Sequence, residues 1–156
     1  MIKPHLRKFV LGSTDSETIF YFILSFVIDE QSLDKEISIE VLARACKKAI
    51  AKLTEIVGPS SEIDQAGDKE TYLTFILTNG QAMVAHQGGK NLFYSTYKSL
   101  CPDRESCKSF APECEAETKT GKINHLIFSS EPLSGENIWL PMKSNQILGV
   151  DCNMII

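Results

Sequence analysis

Two groups of residues in this sequence have the types and spacing to do chemistry. The first is Gly12-Ser13-Thr14-Asp15-Ser16-Glu17. A carboxylate at the start of a helix, beside a glycine-bearing turn, is well placed to hold the ammonium group of a ligand. The same residues also describe an ordinary capped helix. The second group is Cys101, Cys107 and Cys114, spaced C-x5-C-x6-C. Three thiolates, with His86 or His125 as the fourth ligand, form the donor set of a tetrahedral zinc site. The spacing suits that role poorly, because zinc knuckles use C-x2-C or C-x4-C. A redox-sensitive thiol pair and inert, partly buried thiols are the other readings. Loop thiols react only where their pKa is lowered, and here Arg104 and Lys108 are offset by Glu105, Glu113 and Glu115.

The elements that must position these residues can be read from the pattern. Thr14-x-x-Glu17 has the form of a capping box: the Thr14 hydroxyl accepts from the Glu17 amide, and the Glu17 carboxylate reaches back to the Thr14 amide. A helix over about 15–29 follows. Phe20, Phe22, Ile23, Leu24, Phe26, Val27 and Ile28 cover nearly all its sides, so a central position is expected. A second helix carries Ile39, Leu42, Ala43, Cys46, Ala49, Ile50, Leu53, Ile56 and Val57 on one stripe and ends at Gly58-Pro59. Residues 60–68 read as a polar loop. The period then changes. Thr71 to Thr78, Asn79-Gly80 and Gln81 to His86 read as a β-hairpin closed by a type I′ turn. Further strands are expected at 91–97, 122–130 and 146–151, around a long loop from Leu100 to Gly121 that holds the three cysteines. Glu131-Pro132 ends one strand, Trp139 is expected to pack over a sheet edge, and His125 reads as a hydrogen-bonded histidine in a strand. Two helices followed by antiparallel strands define an α+β layered fold in a single domain over 1–156.

Composition narrows the function classes. The chain has 156 residues, a net charge of −4, and acidic and basic residues interspersed. Nucleic acids and anionic membranes call for clustered Lys and Arg, so neither is an expected partner. The longest apolar run, Ile19 to Ile28, is about half a membrane span and is broken by Ser25. It is preceded by Asp15 and Glu17 and lacks a small-residue cleavage site, unlike a signal peptide. Five cysteines, an odd number without a secretory signal, point to free thiols in a reducing compartment. A soluble, cytoplasmic protein is expected.

Four stretches in order, "GSTDSETIFYFILS", "TYLTFILTNGQAMVAH", "NHLIFSSEPLSGENIW" and "NQILGVD", resemble successive blocks of class II glutamine amidotransferases. The nearest branch in pattern is the stand-alone, YafJ-like one. The resemblance covers almost the whole chain and implies part of the αββα sandwich of the N-terminal-nucleophile hydrolases, corresponding to the later part of that domain. It also implies that Asp15, with Thr14 beside it, contacts the α-amino group of glutamine or of a γ-glutamyl compound. No cofactor and no metal are implied.

Other parts of the family pattern have no match. The family nucleophile is a cysteine at the mature N-terminus, whose own α-amine serves as base. This chain begins Met1-Ile2, and its five cysteines are internal. In the family, an arginine for the glutamine carboxylate and an Asn-Gly pair for the oxyanion precede the TDSE block. The thirteen residues before Thr14 hold neither, and His5 and Arg7 do not match. Asn79-Gly80 follows that block and belongs to a hairpin tip, so a turn is its natural role. No catalytic residue is therefore expected among these residues, and at most part of a glutamine pocket. Met1 not being the natural start and a genuine loss of activity both explain the pattern. The alternative class is a non-catalytic module that binds a ligand or a partner chain, with an exposed sheet edge open to self-association.

Overall fold

In the computed structural model, residues 1–61 and 71–156 are described. The expected loop at 60–68 falls largely outside them. The long helices come first and the strands after, as the change of period requires, which makes this an α+β chain. It forms two compact units, Met1–Pro59 and Ser60–Ile156.

The first unit is helical. A one-turn helix, α1 (Pro4–Arg7), was not evident from the pattern; Pro4 at its first position supplies a preset φ. Next come α2 (Asp15–Glu30) and α3 (Ile39–Val57), capped by Thr14 and Ser38. Gly58 ends α3 at φ 93°, a conformation open to glycine at little cost. The two long helices pack through Phe22, Ile23 and Val27 on α2 and through Ala45, Cys46 and Ala49 on α3. The three small α3 residues are fully buried, which lets the backbones approach closely. Across the pair, Glu30 takes ion pairs from both Arg44 and Lys48. Hydrogen bonds from Lys48 and then Arg44 hold its carboxyl below the usual range. Two expectations need correction. α2 is less enclosed than expected: Phe22, Ile23 and Val27 are buried, Leu24, Phe26 and Ile28 are half-buried, and Phe20 is 44% exposed. The α3 stripe buries Leu42, Cys46 and Ala49 as expected, but it also takes in Val41 and Ala45 and leaves Ile56 and Val57 in solvent. Among the described residues, α1 and α3 are the elements that pack on α2.

The second unit holds two antiparallel sheets. β1 (Phe75–Thr78), β2 (Met83–His86) and β6 (Ile147–Val150) form one, in the order β1-β2-β6. β3 (Phe93–Ser95), β4 (Ile127–Ser129) and β5 (Leu140–Pro141) form the other, in the order β4-β3-β5. Ala85, Leu92, Met142 and Leu148 make a buried core that draws on both sheets, with Tyr94, Leu126 and Phe128 packed against it. On the other face of β2, Val84 and His86 are fully buried.

The hairpin forms where expected, but its turn differs. Thr78 pairs with Met83, leaving the four-residue loop 79–82. Only Gly80 has positive φ there, at 87°, so the tip is not type I′. Instead, Asn79 Oδ1 accepts from the amides of Gln81 (3.0 Å) and Ala82 (2.8 Å). This side-chain turn competes directly with the backbone turn that Asn-Gly otherwise favours. The stretch 122–130 is also split. Ile123 donates to Met154 and Lys122 bridges to Ile155, while only Ile127–Ser129 joins β3. β5 was not anticipated, being two residues long and ending in proline.

Gly88 follows β2, and its carbonyl accepts from Leu73 at 2.7 Å. A Cβ on Gly88 would lie 2.6 Å from the Leu73 carbonyl oxygen and 2.9 Å from His86 Cε1, and backbone cannot yield as a side chain can. Gly88→Ala is expected to destabilise the second unit by about 1–3 kcal/mol, read as a lower urea midpoint at unchanged slope. An unchanged midpoint would show that this approach is not tight in solution.

Candidate functional site

The residues around Asp15 are shaped by their neighbours in sequence. Residues preceding α2 run back along it: the Lys3 amide donates to Ser25 Oγ at 3.1 Å, Lys3 Nζ pairs with Asp29, and Phe9 stacks on Tyr21 with centroids 6.4 Å apart. The chain then reverses over the first turn of α2. Thr14 Oγ1 accepts from the Glu17 amide at 3.4 Å, the first half of the expected capping box. The second half goes elsewhere. Glu17 binds the Leu11 amide at 3.1 Å and the Gly12 amide at 2.7 Å instead of the Thr14 amide. A single carboxylate thus ties down two consecutive amides. A Cβ on Gly12 would sit 2.7 Å from Glu17 Oε2, so a larger residue here would make the Glu17 carboxylate shift.

Asp15 is the first residue of α2 and is exposed. Its Oδ1 accepts from the Ser16 amide at 2.8 Å and lies 3.5 Å from the Ser16 hydroxyl. Its Oδ2 accepts no hydrogen bond, and no cation pairs with Asp15, among the described residues. The result is an oriented carboxylate with one oxygen free. Thr14 spends its hydroxyl on the cap, while its carbonyl accepts from the Thr18 amide and hydroxyl at 3.4 and 3.3 Å. Thr14 therefore sets the start of the helix at which Asp15 stands, with one hydroxyl lone pair given to the cap.

The cysteine constellation does not assemble. Among the described residues, no group of three or more His, Cys, Asp or Glu side chains is placed to hold a metal ion. Cys101 and Cys114 are buried, Cys107 is exposed, and all five thiols are free. The loop is held by other means. The Lys98 amide donates to the Cys114 carbonyl at 2.8 Å, and the Cys101 amide to Glu115 Oε1 at 2.7 Å. Asn124 Nδ2 contacts Cys114 Sγ at 3.1 Å. The remaining thiol on α3, Cys46, is pushed up to about 11 by burial, so it stays protonated and unreactive at neutral pH.

Buried polar groups lie where the pattern gave little sign of them. His86 is fully buried, with Nδ1 2.7 Å from the Leu73 carbonyl. That contact requires Nδ1 to carry the proton, leaving the lone pair on Nε2, which has no partner among the described residues. Gln87 is fully buried with both side-chain amide atoms unpaired, and His125 Nε2 and Asn137 Oδ1 are buried and unpaired as well. The run His86-Gln87-Gly88-Gly89 at the end of a strand was the available signal, since adjacent glycines mark close backbone approach. Trp139 donates to the Leu133 carbonyl at 3.0 Å, and Glu131 is exposed. Asn79-Gly80 is an exposed hairpin tip, and no helix is long and apolar enough to cross a membrane among the described residues.

No protein-family model, no curated protein and no solved structure matches this chain.

Burial lowers the pKa of His86 and of His125, the latter helped by the Lys98 charge. Because the folded values lie below the ordinary 6.5, the unfolded chain takes up protons first as pH falls. Their contribution to stability is complete above 6.5 and declines below it, toward the folded-state values. The urea midpoint of the second unit should therefore fall between pH 7 and 5. The ring resonances of both histidines should titrate below 6.5 in NMR spectra. Titration at or above that value would show that the rings are hydrated.

Proposed function

We propose that this chain is part of a class II glutamine amidotransferase-like domain, of the stand-alone YafJ-like kind, in which Asp15 binds the α-ammonium group of glutamine or of a γ-glutamyl compound. The observation that carries the reading is the Asp15 carboxylate, held through Oδ1 by Ser16 with Oδ2 unbonded among the described residues. Orientation matters because a carboxylate fixed before binding loses less entropy when it takes its ligand. The Glu17 bridge to Leu11 and Gly12 gives the "GSTDSE" block a structural reason beyond helix capping. Thr14, the other residue assigned to the site, acts as the cap that sets the start of the helix.

The same reading takes the fold as part of the αββα sandwich of N-terminal-nucleophile hydrolases. In its support, two antiparallel sheets share one apolar core, and a helical pair precedes them in the chain. The free thiols accord with a reducing, cytoplasmic setting. The proposal assigns binding, not turnover, to these residues, because Asp15 is the position that matches.

Two ligands separate this reading from simple capping: L-glutamine, and 4-carbamoylbutyrate, which lacks only the α-ammonium group. Titrated by NMR, L-glutamine should perturb the amides of residues 12–17 and bind about tenfold or more tightly than the analogue. Asp15→Asn should abolish that preference while the helix remains folded. If both ligands leave these amides unmoved, or if Asp15→Asn keeps the preference, the assignment is wrong.

A further inference from the structure

A cleft of about 350 Å³ opens in the second unit beside its apolar core, within the size range of small-ligand sites. β3 contributes Tyr94, with Thr96 just beyond its end; β5 and β6 contribute Leu140 and Leu148; the loop preceding β4 contributes Glu117 and Thr118. Thr96 is only 4% exposed, yet it lines the cleft, and its hydroxyl has no hydrogen-bond partner among the described residues. The Thr96 oxygen is not among the buried unpaired polar atoms of the fold, so it is open to the cleft and free to pair with what enters it. Glu117 stands over the same space. Its charge, after burial, helps to raise the pKa of the Tyr94 phenol, so the carboxylate is electrostatically close to that ring. Glu117 makes no ion pair among the described residues, not even with Lys119 two positions along.

We infer that this cleft is a binding site for a primary alkylammonium group, with Glu117 as the counter-charge, the Thr96 and Tyr94 hydroxyl oxygens as acceptors, and Leu140 and Leu148 against the alkyl chain. The chemistry is complementary at each point. An ammonium has three donors and no acceptor, which suits one carboxylate and two hydroxyl oxygens. A carboxylate ligand would meet Glu117 with like charge. The Tyr94 phenol stays protonated at neutral pH, so it adds no second negative charge but still offers lone pairs. The site lies in the unit that does not contain Asp15 and stands whether or not that residue binds glutamine.

The test uses pentylammonium as the probe and pentanoate as its charge-reversed counterpart, titrated into the labelled chain by NMR. Pentylammonium should shift the amides of Thr96, Thr118 and Gly149, and pentanoate should not. Glu117→Gln should weaken pentylammonium binding about threefold or more. Thr96→Val, which keeps the side-chain shape, should weaken it about threefold with the spectrum otherwise intact. A parallel titration with lysine blocked at both backbone ends identifies the source. Tighter binding of the free amine assigns a small molecule, tighter binding of blocked lysine assigns a peptide side chain, and both support the site. Equal response to pentylammonium and pentanoate, or no response at these amides, overturns the inference.

Discussion

From Val84 to His86, strand β2 has water on neither face, and much of the second unit follows from that. Val84, Ala85, His86 and Gln87 are all fully buried, and β2 is the middle strand of its sheet, paired to β1 on one side and β6 on the other. A strand so enclosed must satisfy its backbone through its neighbours, and the ladder does so with four registered pairs on each side. It must also find partners for any polar side chain it carries. His86 meets the demand at one nitrogen through Leu73, and Gln87, just past the strand's end, meets it at neither side-chain atom among the described residues. The glycines that follow reflect the same crowding: Gly88 and Gly89 would each set a Cβ under 3 Å from a neighbouring carbonyl.

Period and capping carried the broad plan. The start of α2 at Asp15, the end of α3 at Gly58 and the placing of every strand after the helices could be read because each rests on local chemistry: a hydroxyl cap, a glycine stop, a change in apolar spacing. What could not be read depends on long-range competition. Ile123 pairs with Met154, thirty-one residues away, so a stretch that reads as one strand divides between two sets of partners. At Asn79 the competition is within the turn, where the side chain takes two amides that a type I′ turn would have arranged otherwise. β5 left no periodic trace, since two residues cannot alternate visibly.

The candidate sites divide along the same line. Asp15 and Thr14 were legible because a cap motif is contiguous, and the structure adds the part that spacing hides: Glu17 turns outward to Leu11 and Gly12. Cys101, Cys107 and Cys114 were conspicuous by type but are not gathered around a common point, since the loop is organised by Glu115, Arg104 and the Cys114 carbonyl. The cleft beside β3 had no sequence signature at all. Its polar groups, Tyr94, Thr96, Glu117 and Thr118, come from two segments that meet only when the second sheet forms.

Charge separates these two carboxylates from several others in the fold. Glu30 is occupied by Lys48 and Arg44, Glu115 by Arg104 and the Cys101 amide, and Glu136 by Lys98. Asp151 is committed to the amides of Asn153 and Ile155. Each has its negative charge answered from within the fold, and an incoming ammonium would have to displace a partner already in place. Asp15 and Glu117 differ from these four in that no cation or pair of amides answers them among the described residues, a state they share with exposed carboxylates such as Glu36 and Glu131. They also differ from each other. Asp15 sits at a helix N-terminus, where the aligned peptide dipoles favour the anion and so offset part of its attraction for an incoming cation. A ligand at Asp15 therefore needs further contacts beyond the ammonium to bind tightly, whereas the cleft at Glu117 supplies hydroxyls and apolar wall around a single charged group. That contrast is the physical reason to expect a larger, multiply held ligand at the first place and a small amine at the second.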